Sequence, residues 1–276
     1  MQETQERRRP ANLPDAERLS ILSATILLVY ALSQFVDIPG RQIAVQLPGI
    51  YLETQVNIRT LVALLIAGLA AAGADWLMRD HPARGTKHFF EHLILPGLTA
   101  LVIAIPLAQV PLSAIWWLGF ALGGAALILV LIAEYIALDP DDIRMPLASA
   151  GLIAISFALF LALAVALRFS EARLFLILPG LSLAAGLVSL RTLHLRLHGQ
   201  WALLQAGMVA FVIAQLVAVL HYWPLAPVPY GLVLLGPAYA LTSFFARLEE
   251  GESPRQAILE PVVILLLVWG AAIWIR

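Results

Sequence analysis

The chain has no cysteine, a single lysine (Lys87) and only 13% charged residues. Without thiols, disulfides, thiolate nucleophiles, iron–sulfur clusters and thiolate zinc sites are all excluded. A lone lysine in a polar loop excludes a retinal Schiff base inside a helix bundle. The net charge of −1, with basic residues scattered through short loops, gives no electrostatic footprint for nucleic acid. There is no glycine-rich phosphate cradle, no nucleophile elbow and no paired Asp motif for prenyl or phospho-alcohol transfer. Asp139-Pro-Asp-Asp142 has no second acidic motif to complete a magnesium site and reads as a turn. The most telling lack is inside the apolar stretches, where no Asp, Glu, Lys, Arg or His falls near the middle of any run. Proton relays, voltage sensors and many ion-coupled sites keep an ionisable group there, so ion coupling is disfavoured.

What is present is apolar surface. Hydrophobic residues make up 61% of the chain and its mean hydropathy is +0.88, far outside the range of soluble domains. About 20 helical residues cross a bilayer core of ~30 Å. That ruler finds nine spans, at 19–36, 58–78, 89–109, 113–137, 146–167, 173–190, 201–220, 231–246 and 257–275. The expected fold is an all-α, polytopic integral membrane bundle of nine transmembrane helices. Residues 1–18 form a charged N-terminal segment, and 19–276 a single transmembrane domain. No small-residue cleavage pattern follows the first span, which reads as a retained signal anchor. Between spans one and two, residues 37–57 alternate apolar and polar around Pro48-Gly49, the pattern of an amphipathic hairpin or lid outside the membrane.

Of the 17 Lys and Arg, Arg41, Arg59, Arg168, Arg173 and Arg276 fall on one side of this topology and the remaining twelve on the other. The positive-inside rule then places the N-terminus in the cytoplasm and, after nine spans, the C-terminus outside. A bacterial cytoplasmic membrane is the default location. The expected partners are membrane lipids and other membrane subunits, not nucleic acid.

Chemistry-bearing side chains gather toward the cytoplasmic ends of the spans. Asp75, Glu91, Glu134, Arg191 and Glu260 form an expected polar cluster there, each carboxylate able to reach water or a base such as Arg79 or Arg191. His88 and His92, and again His194 and His198, have the His-x-x-x-His spacing that puts two imidazoles on one helix face. With Glu91 they would offer a metal site at the membrane surface, activating water or oxygen. Histidines placed at headgroup level, or facing anionic lipid beside Arg191 and Arg196, account for the same pattern. No particular cofactor is implied.

Leu-Ile-Leu-Pro-Gly-Leu occurs twice, at 93–98 and 176–181, beginning spans three and six, which enter from opposite sides. Pro96-Gly97 and Pro179-Gly180 would be paired helix breaks of an inverted repeat relating spans two to four with five to seven, though the flanking residues match poorly. Gly119-x-x-x-Gly123 permits close helix approach. The turn His221-Tyr-Trp-Pro-Leu-Ala-Pro-Val-Pro-Tyr230 suits the outer interface, or an outer cap with residues 37–57. Three functions fit these observations. The first is a bundle that binds or transports a lipid or hydrophobic solute without ion coupling. The others are a metal-dependent membrane enzyme and a structural or assembly subunit.

Overall fold

The computed structural model describes residues 13–35, 61–79, 81, 91–197 and 199–275, together with the backbone of 41–47, 50–56 and 58–60. Its body is helical: α1 (Ala16–Ser33), α2 (Ile58–Met78), α3 (Glu91–Gln109), α4 (Ala114–Ile136), α5 (Met145–Phe169), α6 (Leu174–Arg196), α7 (Leu203–His221), α8 (Pro227–Glu249), the short α9 (Pro254–Ala257) and α10 (Leu259–Trp274). Among the described residues nine helical segments are long and apolar enough to cross a membrane, the last being Pro254–Trp274. At about 1.5 Å per residue each is near the thickness of a bilayer core. Between α1 and α2, β1 (Arg41–Leu47) and β2 (Ile50–Val56) pair antiparallel with Leu47 opposite Ile50 and Val45 opposite Leu52, a ladder where the alternation predicts a hairpin. Pro48-Gly49 lies outside the described residues.

Helix ends depart from the apolar ruler where charge or proline misleads it. Helix α6 runs on to Arg196 instead of stopping at 190, so Arg191 and His194 are helical residues rather than loop residues. Helix α8 begins at Pro227, because proline in a first turn lacks only an N–H that has no helical partner anyway.

The interior divides in two. One core joins α1 to α4 through Ile26, Tyr30, Ile66, Trp116, Leu127 and Leu131. The other joins α5 to α8 through Leu152, Phe160, Ile177, Leu181, Val209 and Leu234, and draws in Leu95, Leu98 and Val102 of α3. Glycine sets the closest approaches. A Cβ at Gly123 would stand 2.6 Å from a methyl of Ile103, so α4 lies directly on α3 as the Gly-x-x-x-Gly spacing predicts.

Prolines free carbonyls that a membrane interior cannot leave bare. Pro111 has no N–H for the Leu107 carbonyl four residues earlier, and that oxygen instead accepts from Trp116 Nε1 at 3.1 Å and Gln34 Nε2 at 3.0 Å. Pro237 does the same to Val233, whose carbonyl accepts from Trp269 Nε1 of α10 at 3.2 Å. Two indoles thereby tie neighbouring helices through bonds that the prolines made necessary. Pro96 and Pro179 each occupy the sixth position of a helix that continues past them. The expected breaks at Pro96-Gly97 and Pro179-Gly180 are therefore not interruptions. So near a helix start, proline removes a single hydrogen bond and the remaining turns hold.

Candidate functional site

The polar residues at the end of the bundle that carries Arg144 and Arg196, here the basic end, fall into separate sets. The first is a closed junction between the two cores. Glu134, in the last turn of α4, is fully buried and accepts a two-pronged contact from Arg191 of α6: Nε reaches Oε1 at 3.0 Å, and Nη2 reaches Oε2. His92, in the first turn of α3, brings Nδ1 to 2.7 Å from the same Oε2 and 3.1 Å from Arg191 Nη2. Arg191 is 1% exposed, and its Nη1 is buried without a hydrogen-bond partner among the described residues. The planar fork of a guanidinium matches a carboxylate edge, which is why arginine serves here where lysine would not. Beside it, Glu91 Oε1 and His194 Nε2 lie 3.7 Å apart, a second link between α3 and α6. The His194 ring also rests on Trp201, with centroids 5.0 Å apart.

The expected five-residue cluster is thus divided. Glu134 and Arg191 meet, with Glu91 on the adjoining helix turn. Asp75 instead pairs with Arg79, just past the end of α2, at 3.3 Å, and Glu260 pairs with Arg247 of α8 at 2.5 Å. Glu134 does not reach water as a boundary carboxylate would, because Arg191 compensates it inside the protein. His88 and His198 lie outside the described residues. Among the described residues no three His, Asp or Glu side chains are grouped to hold a metal ion. His92 is engaged with Glu134, and His194 faces Glu91.

Over the junction sits His81, 4% exposed, its ring edge-on to Tyr135 at 4.5 Å. Burial pushes its imidazole below the ordinary range, partly opposed by the charge of Asp139. In the same turn, Asp142 accepts from the side chain and backbone N–H of Arg144, which holds its carboxyl below the usual value.

The second set surrounds a groove. A cavity of about 490 Å³ opens between α5, α6, α8 and the start of α10. Its outer part is lined by Ser149, Thr192, Arg196, Ser243 and Glu260, its inner part by Ile153, Phe157 and Tyr239. From Ser149 to Phe157 is 8 residues of helix, on the order of 12 Å of depth. The floor is an edge-to-face pair, Phe157 and Tyr239, with centroids 5.1 Å apart. Thr242 and Ser189 share a 2.7 Å hydrogen bond in the wall. Thr192 is 3% exposed and its hydroxyl has no partner among the described residues. Sequence reasoning missed this groove, since Ser and Thr are ordinary in apolar helices. The available signal was spacing: Ser189, Thr192 and Arg196 fall at i, i+3 and i+7, one polar stripe on a face of the helix distinct from that of Arg191.

At the opposite end, a second cavity of about 660 Å³ is lined by Arg168, Glu171, His221 and apolar residues including Ile177 and Leu225. Arg168 is fully employed there. It donates to the carbonyls of His221 at 3.2 Å, Trp223 at 2.8 Å and Leu225 at 3.4 Å, and its guanidinium lies over the Tyr230 ring at 5.1 Å. The turn expected at an interface is therefore pinned to α5, with Tyr222 and Trp223 exposed and Tyr230 wholly buried. Neither this cavity nor the groove is lined by Pro96 or Pro179.

No curated protein and no solved structure matches the chain. A family model described as "Protein of unknown function (DUF5656)" matches residues 38–275, most of the sequence, and the chain belongs to that family.

Proposed function

We propose that this protein binds a lipid or similar amphiphile inside the membrane, in the groove between α5, α6 and α8, without ion coupling. The observation that carries this reading is the gradient along the groove, from charged and hydroxylated residues at its mouth to an aromatic floor about two helical turns deep. An amphiphile has the same gradient. The nine apolar segments supply the solvent in which such a ligand is already concentrated. The lack of ionisable groups near span centres supports binding or transport uncoupled from ions. The basic end, by the charge bias of the loops, faces the cytoplasm in this reading, so the groove opens at the inner leaflet.

The test is lipid retention. Purified in detergent and examined by native mass spectrometry, the wild type is expected to keep about one lipid per chain. Ala154→Phe fills the groove beside Ile153 and Phe157, and should abolish that retention while leaving the fold intact by circular dichroism. A wild type that keeps no lipid, or a filled variant that keeps as much, ends the proposal.

A further inference from the structure

The charge pattern at the mouth of the groove narrows the ligand class, given the lipid-binding reading above. We infer that the groove selects an amphiphile whose head carries no net negative charge and includes a hydrogen-bonding ammonium, as an ethanolamine-type phospholipid does, over one with an anionic head. Two charged residues line the mouth, Arg196 and Glu260. Arg196 is already neutralised: its Nε and Nη2 donate to Glu250 at 3.1 and 3.2 Å, and Nη1 reaches Ser243 Oγ at 3.4 Å. Glu260 is shared with Arg247, which also contacts Glu252 at 3.4 Å. Two arginines therefore meet three glutamates, and the mouth keeps a residual negative charge at the end of a protein whose loops are otherwise rich in arginine.

Bare cations would favour an anionic head. Here Arg196 and Arg247 are already paired, so an added anion would displace a glutamate or face it unpaired, and like-charge juxtaposition works against it. An ammonium finds the surplus carboxylate. Thr192, also in the outer part of the groove, supplies a second requirement. Its hydroxyl is buried and lacks a partner among the described residues, and a buried unsatisfied group favours any ligand that completes it. The phosphate or ester oxygens behind an ammonium are acceptors for that hydroxyl. One ligand then satisfies both features, an ammonium at Glu260 and an oxygen at Thr192.

The experiment equilibrates the purified protein with mixed micelles holding equimolar dioleoyl phosphatidylethanolamine and dioleoyl phosphatidylglycerol, then counts the retained lipid by native mass spectrometry. The wild type is expected to keep the ethanolamine lipid. Thr192→Val should lower that retention roughly threefold to tenfold, the equivalent of one hydrogen bond, with unchanged thermal stability. Glu260→Gln should move the ratio toward the glycerol lipid. Equal retention of the two, or preference for the glycerol lipid by the wild type, overturns this inference and leaves lipid binding standing. Retention of neither lipid overturns lipid binding itself and this inference with it.

Discussion

Arg191 and Thr192 are consecutive residues of one helix, and they have opposite fates. A helix turns about 100° per residue, so Arg191 faces α3 and α4 while Thr192 faces α5 and α8. On the first side a carboxylate, a guanidinium and an imidazole close on one another. On the second side a hydroxyl has no partner among the described residues beside some 490 Å³ of open groove. The contrast separates two uses of polarity within an apolar bundle. Polar groups that satisfy each other fasten helices together, and polar groups left unsatisfied in a lined space await a ligand.

The closed side is the one that breaks most severely. Glu134→Leu leaves Arg191 charged and buried alone, and should cost about 3–5 kcal/mol in equilibrium unfolding from mixed micelles. Adding Arg191→Leu should restore most of that loss, because replacing both members of a buried pair by apolar residues is often near neutral. A double variant as unstable as the single one would mean that the junction does more than balance charge.

A smaller effect comes from the lid over the junction. His81 is held neutral by burial, so its folded-state affinity for a proton lies below that of the unfolded chain. Its contribution is fully present above the ordinary imidazole value of about 6.5 and is lost as pH falls below it. The thermal midpoint should therefore drop between pH 7.5 and 5.5, and His81→Gln should flatten that dependence. Parallel curves for the two proteins would remove His81 from the account. Asp142 titrates in the same sense only at more acidic pH, since Arg144 holds its carboxyl low.

The smallest effect belongs to a pair that is neither closed nor lined. Arg79 and Asp75 meet at 3.3 Å one turn apart at the end of α2, with the arginine side chain 62% exposed. Arg79→Ala should shift the unfolding midpoint by an amount corresponding to no more than about 0.5 kcal/mol. A loss approaching that of Glu134→Leu would erase the distinction between compensated interior charge and surface pairing.

Much of the architecture was legible from apolar run length, because a bilayer-length stretch without charge has few other uses. Run length failed at Arg191. A charge marks the end of a span only when water is its best partner, and here Glu134, 57 positions away, is a better one. The sequence grouped Asp75, Glu91, Glu134, Arg191 and Glu260 at one end of the spans, but did not say which would meet. Asp75 found Arg79 at the local i,i+4 spacing, whereas Glu260 found Arg247, thirteen positions back in the chain, a pairing that no local pattern ranks above its alternatives. The His-x-x-x-His spacings pointed toward a shared metal, whereas His92 and His194 each face a glutamate. The groove was invisible for a different reason: a cavity is made by residues too small to fill it, such as Ala150 and Ala154, and smallness in an apolar helix carries no signature of its own.

The 57 residues between Glu134 and Arg191 also impose an order on biogenesis. At about 5–20 residues per second, the carboxylate leaves the ribosome on the order of 3–11 s before its guanidinium exists. During that interval Glu134 has only His92 of α3 as a junction partner. The seam between the two cores is completed only when α6 brings Arg191. A nascent chain stalled between those two positions should therefore hold an incomplete junction.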